Sequence, residues 1–130
     1  MVNDGTVDSL PDEVVIFVTS AMPVMHVDSI DMLLVQKYGG WRTYATATVT
    51  ILDTHGNPVE NALIDGHWEG ATTDTESGTT DANGMVTFTS NYRRRPAGGT
   101  TYTFIIDNVS EEVWLWDETS SMLSASTAVP

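Results

Sequence analysis

Apolar and polar residues alternate with period two along much of the chain between Trp41 and Asp107. The clearest run extends from Trp41 to Leu52, where Tyr44 and three threonines share one face. Its other face carries small or aliphatic residues, namely Ala45, Ala47, Val49 and Ile51. Alternation over so long a run, with many β-branched residues, predicts a strand with one buried face.

Two turn signals precede further alternating runs. His55-Gly-Asn-Pro58 comes before a predicted strand at 62–69, and Asp81-Ala-Asn-Gly84 comes before one at 85–90. A third run, at 101–107, alternates in the same way. The residues that share a face in these runs are Ala62, Ile64, Gly66 and Trp68, then Val86 and Phe88, then Tyr102, Phe104 and Ile106.

Weaker signals predict further short strands at 14–18, 25–27, 30–35 and 113–116. Residues 70–77 are expected to form a loop or a weak edge strand. Together these segments make about seven to nine short strands separated by turns, a spacing typical of an all-β antiparallel sandwich. We expect Trp68 and Phe88 to meet from opposing layers, in a core that also contains Val49, Ile51 and Phe104.

The length of 130 residues fits one domain, with 1–12 as a polar linker or lead-in, 13–119 as the sandwich, and 120–130 as a terminal edge strand or a linker. The chain has no cysteine, which excludes disulfides and thiolate metal sites. No apolar run is long enough to span a membrane.

Charge is strongly unbalanced, because eighteen acidic residues face five basic ones and give a net charge of -13. Such a charge repels nucleic acid and anionic lipid, so we expect neither as a partner. It favours solubility, tolerance of salty surroundings, or binding of divalent cations. The one basic spot, Arg93 to Arg95, is interpreted mainly as a solvated loop, with a protease-sensitive site or a contact with an acidic neighbour as the alternatives.

The two turn-and-strand units resemble those of bacterial immunoglobulin-like domains of the invasin and intimin type. They are Asp53-x-x-Gly56-Asn57-Pro58-Val59-x-x-Ala62 and Thr79-Thr80-Asp81-Ala82-Asn83-Gly84-x-Val86-x-Phe88. Met25-His-Val-Asp28 is similar to a lead-in of immunoglobulin-like modules appended to secreted bacterial hydrolases. The resemblance covers residues 25–110 and implies an immunoglobulin-like sandwich, a frame that serves adhesins, stalks and enzyme appendages alike. Residues 1–24 and 114–116 depart from the pattern, which argues against a simple stalk repeat.

Side chains suited to catalysis are scattered along the chain. The three histidines, His26, His55 and His67, are not placed near a serine and an acid by their spacing. A nucleophile or an acid–base pair needs an orienting partner. We therefore expect no enzymatic activity.

Acidic residues offer a candidate metal site. Asp28 and Asp31 lie close to His26, and their carboxylates suit calcium; the alternative is that they cap turns. A second acidic group consists of Asp74, Glu76 and Asp81. Neither group has the fixed ligand spacing of a calcium-binding loop.

Trp114 and Trp116 are two residues apart and would share a face of a strand. With Asp117, Glu118 or Glu112 as a hydrogen-bond partner, the pair suits stacking on sugar rings. The alternative is that one or both indoles cover the end of the sandwich or an interface. Trp41 with Tyr44 or Tyr38 is a lesser aromatic patch.

The sequence therefore predicts a non-catalytic accessory module, outside the cell or on its surface, whose partner is a neighbouring domain of the same polypeptide. The alternative is a polysaccharide-binding module that uses Trp114 and Trp116. A calcium-regulated adhesion domain is a more distant third hypothesis. The polar ends of the chain favour the first of these, since modules are joined through such segments.

Overall fold

A computed structural model describes residues 22–130, so the predicted strand at 14–18 and the lead-in at 1–12 lie outside the described part. The described chain contains eight strands and a short 3-10 helix, Glu118–Ser120. The strands are β1 (Val24–Lys37), β2 (Arg42–Asp53), β3 (Leu63–Gly70), β4 (Thr75–Thr79), β5 (Met85–Thr89), β6 (Thr101–Ser110), β7 (Leu115–Trp116) and β8 (Ser124–Ala128). Within residues 22–130, no helix has the length and apolarity needed to cross a membrane.

The strands form two four-stranded sheets that pack against each other, which confirms the all-β, two-layer prediction. The first sheet has the order β5-β2-β1-β7 and the second has the order β4-β3-β6-β8. Neighbouring strands are antiparallel except for β1 and β7, which run parallel over two residue pairs.

One long strand, β1, replaces the two short pieces predicted at 25–27 and 30–35. Its register against β2 shifts between Val27 and Ser29, so Asp28 forms a bulge. The bulge moves the buried positions out of strict alternation, and Met25, Val27 and Ile30 are all buried. This break in period two is the reason why the sequence pattern suggested separate strands.

Edge strands form in two segments that the sequence left open: 70–77, predicted as a loop or a weak edge strand, and 120–130, predicted as an edge strand or a linker. β4 lies at one edge of the second sheet and β8 at the other. Neither strand contains a fully buried residue. Edge strands of small and polar residues expose both faces in part, so they carry little of the periodic apolar signal.

Aromatic side chains from both sheets fill the core. Trp68 on β3 and Phe88 on β5 are 0% and 3% exposed, as predicted, and they come from facing sheets. Phe104 on β6 joins them, with its ring centroid 4.8 Å from that of Phe88 and 5.1 Å from that of Trp68. Each such buried side chain contributes about 2–3 kcal/mol from the removal of its apolar surface from water.

The sandwich has two distinct ends. At one end Met25 of β1 pairs with Asp53 of β2, and at the other Lys37 pairs with Arg42. The final strand, β8, runs toward this second end, because Ala128 pairs with Thr101, the first residue of β6. The described chain therefore enters the sandwich at one end and leaves it at the opposite end.

Candidate functional site

The indoles of Trp114 and Trp116 are half-buried and pack against the core. Leu115 between them is the exposed residue, with half of its surface accessible (50%). The two tryptophans do share a side of the chain, as their spacing predicts, but that side faces the protein. They do not form an exposed platform on which a sugar ring could stack.

Ser121 holds this segment in place through three hydrogen bonds. Its hydroxyl oxygen accepts from Nε1 of Trp116 and from the backbone N–H of Val27, both at 2.9 Å. The same hydroxyl donates to the carbonyl oxygen of Asp117 at 2.8 Å. The indole N–H of Trp116 is thus bonded within the fold.

The carboxylate of Asp117 caps the 3-10 helix. It accepts from the hydroxyl of Thr119 at 2.8 Å and from the backbone N–H of Ser120 at 3.3 Å. Hydrogen bonding from the side chain of Ser120, and then from that of Thr119, lowers the pKa of Asp117 below its ordinary value. Its geometry is that of a helix cap.

Asp28 and Asp31 are exposed on β1, and His26 Nε2 lies 3.8 Å from Oδ1 of Asp28. Across residues 22–130, no three His, Cys, Asp or Glu side chains come together in a way that could hold a metal ion. The second acidic group is also divided. Asp74 lies beside Glu76, whereas the carboxylate of Asp81 accepts from the backbone N–H groups of Asn83 and Met85 in the β4–β5 turn.

His67 lies on the outer face of the second sheet, and both nitrogens of its ring contact carboxylates. Its Nδ1 lies 2.8 Å from Oδ2 of Asp107, and its Nε2 lies 2.8 Å from Oε2 of Glu69. Hydrogen bonds to Asp107 and then to Glu69 raise the pKa of His67 above its ordinary value. An imidazole that donates from both nitrogens is positively charged and has no lone pair with which to act as a base.

A shallow polar depression of about 360 Å3 lies next to this histidine. It is lined by Asp65, Gly66, Thr75, Glu76, Ser77 and Asp107. Its polar side chains are therefore two hydroxyls and three carboxylates.

Aromatic and cationic side chains meet at the end of the sandwich where β1 turns into β2, which we call the arginine end. A bridge between Thr43 and Arg93 extends β2 alongside the segment after β5. The guanidinium carbon of Arg42 lies 4.4 Å from the ring centroid of Tyr92. Those of Arg94 and Arg95 lie 5.4 Å and 5.1 Å from the ring centroid of Trp41.

Sequence reasoning treated Arg93 to Arg95 and the aromatic patch at Trp41 as separate features. The structure brings them together through backbone hydrogen bonds between Thr43 and Arg93 and between Arg95 and Trp41. The signal available in the sequence is an exposed aromatic residue beside a basic one at two distant places, Trp41-Arg42 and Tyr92-Arg93. Nothing local to either place indicates that the two are neighbours.

Comparison with protein families, with curated proteins and with solved structures finds no match for this chain.

Proposed function

We propose that this chain is a non-catalytic immunoglobulin-like accessory module that spaces, stabilises or positions a neighbouring domain of a secreted or surface bacterial protein. The observation that carries the proposal is the path of residues 22–130, along which β1 starts at one end of the sandwich and β8 finishes at the opposite end. The twelve residues of β2 span about 40 Å at ~3.3 Å per residue. Segments joined to the two ends are held apart by that distance.

The order of the strands supports an immunoglobulin-like arrangement. When the strands are lettered along the chain, β1, β2 and β5 take the places of A, B and E in one sheet. In the other sheet β3, β6 and β8 take the places of C, F and G. Within this frame β4 adds an edge strand to the second sheet, beside β3. The two-residue β7 comes between the strands lettered F and G in the sequence and pairs with β1 in the first sheet.

The two turns that carry the resemblance to invasin-type domains have the same internal chemistry. The carboxylate of Asp53 accepts from the backbone N–H groups of His55 and Asn57 at 2.8 Å and 2.9 Å. These hydrogen bonds, with that from Asn57 the largest influence, lower the pKa of Asp53. Asp81 makes the equivalent bonds in the second turn. Both motif aspartates therefore serve turn structure, which suits a scaffold role.

The proposal is tested in the parent polypeptide. Deletion of residues 24–130 is expected to impair the reach or the thermal tolerance of the adjoining domain and to leave its chemistry intact. Replacement with an unrelated domain of similar end-to-end length is expected to restore the lost property. Hydrolytic turnover by the isolated chain that a single change such as His67→Gln abolishes would disprove the proposal.

A further inference from the structure

Every lysine and arginine of the chain lies at the arginine end. The sequence has five of them, and all are exposed: Lys37, Arg42, Arg93, Arg94 and Arg95. Among residues 22–130 the ion pairs involve histidine only, so no described carboxylate neutralises these five charges. In a protein with eighteen acidic residues, this is a marked separation of charge.

The cations lie side by side. Lys37 and Arg42 are cross-strand partners in β1 and β2, and the Thr43–Arg93 bridge brings Arg94 alongside Arg42. Like charges at neighbouring positions of a sheet repel each other. Stacking on Tyr92 and Trp41 holds the guanidinium groups in place but does not neutralise them. An anionic surface placed against this end relieves the repulsion.

The opposite end, which we call the carboxylate end, has the complementary charge. Its connections carry carboxylates and no lysine or arginine, and the acidic residues there are Asp53, Glu60, Asp81, Glu111, Glu112, Asp117 and Glu118. Val113 and Leu115 at the same end are 57% and 50% exposed. At the arginine end, the aromatic rings of Trp41 and Tyr92 are 41% and 42% exposed. Each end thus offers both charge and apolar surface to the other.

We propose that the arginine end of one copy of this chain binds the carboxylate end of a second copy. Such a contact joins two different surfaces and leaves one of each free, so it produces open head-to-tail rows. The contact area is limited to the end of a sandwich, which places it with weak interfaces of less than ~1,200 Å2. Association is therefore expected only at high protein concentration or along a surface that concentrates the chain.

Ionic strength provides the first test, because the net charge of -13 opposes association while the facing ends favour it. At 0.01 M salt the screening length of about 30 Å approaches the length of the sandwich, and whole-molecule repulsion dominates. At 0.15 M salt the screening length falls to about 8 Å, so only charges at the touching ends interact. At 1 M salt it is about 3 Å, and the attraction between the ends is screened as well. Association measured by sedimentation equilibrium is expected to peak at the intermediate salt concentration.

Charge reversal provides the second test. The changes Arg42→Glu with Arg94→Glu reverse the arginine end, and Glu60→Lys with Glu112→Lys reverse the carboxylate end. These side chains are exposed, and none of the four is needed for a turn or helix cap. Each double variant alone is expected to sediment as a monomer at every concentration. An equimolar mixture is expected to regain the wild-type association, because each reversed end then meets its complement.

The matched control is Asp31→Lys with Asp65→Lys, which changes the net charge as much as the Glu60 and Glu112 pair but lies within strands β1 and β3 and outside the connections at either end. It is expected to retain association, and thermal unfolding checks that all variants fold. The proposal is overturned if the wild-type chain stays monomeric at all three salt concentrations. It is also overturned if the mixture does not recover, if the control loses association, or if reversal of only one end matters.

Discussion

The indole Nε1 of Trp68 donates a hydrogen bond to Oε2 of Glu76 at 2.7 Å. Trp68 is completely buried on β3, and Glu76 lies on the neighbouring edge strand β4, opposite Gly66. A buried indole needs a partner for its N–H, and the carboxylate at the edge supplies one. The bond therefore attaches a weakly apolar edge strand to the largest side chain of the core.

Glu76→Gln is expected to be tolerated at neutral pH and to change the pH dependence of stability. Burial is the main cause that raises the pKa of Glu76, and the nearby charge of Asp74 adds to it. Because the pKa of Glu76 is raised in the folded state, its protonation stabilises the fold. This stabilisation is fully present below the unfolded-state pKa of about 4.5, and it is lost as the pH rises through the folded-state pKa. Urea unfolding at pH 4 and pH 7 should show the glutamine variant gaining relative to wild type at the higher pH. An identical difference at both pH values would contradict this account.

Strands that present one buried face were predictable from the sequence, because burial on one side imposes period two on β2, β3, β5 and β6. The same logic divided β1 into two pieces, because the bulge at Asp28 offsets the pattern. It also left β4 and β8 undecided between an edge strand and a loop or linker, because edge strands carry little periodic signal. The spacing of Trp114 and Trp116 correctly predicted a shared side. The side that carries the two indoles is turned toward the protein by the hydrogen bond from Trp116 to Ser121 and by the 3-10 helix. No local sequence pattern encodes this orientation.

Gly66→Ala is expected to destabilise the core. An added Cβ would lie 2.5 Å from Cζ of Phe104 and 2.7 Å from the carbonyl oxygen of Ile105, and neither the packed ring nor the backbone can move freely. Overpacking of this kind costs about 1–3 kcal/mol. Gly78→Ala is the matched control, because its Cβ would meet its nearest neighbours, Val86 and Phe88, at 3.1 Å and 3.2 Å. Equal losses in the two variants, measured by chemical denaturation, would show that the close approach to Phe104 is not the cause.

Titration of His67 is expected to occur above its ordinary pKa of about 6.5, because Asp107 and Glu69 both stabilise the charged imidazole. Its contribution to stability is present below the unfolded pKa and is lost as the pH rises through the folded value. Asp107→Asn should lower the pKa of His67 more than Glu69→Gln does. NMR titration of the His67 imidazole resonances in the wild-type chain and in both variants checks this. A titration of His67 that neither substitution moves would refute the assignment.

Ser121→Ala is expected to destabilise the chain by about 1–3 kcal/mol, the usual cost of leaving part-buried donors without a partner. The change removes the acceptor shared by Nε1 of Trp116 and the N–H of Val27, and it frees the carbonyl oxygen of Asp117. Ser124→Ala, at an exposed position of β8, is the matched control and should change the free energy of unfolding little. Tryptophan fluorescence during urea unfolding follows both variants, since loss of the indole hydrogen bond exposes Trp116 to water. If Ser121→Ala leaves both stability and fluorescence unchanged, then Trp116 is not held by this serine, and its availability to a sugar ligand has to be reconsidered.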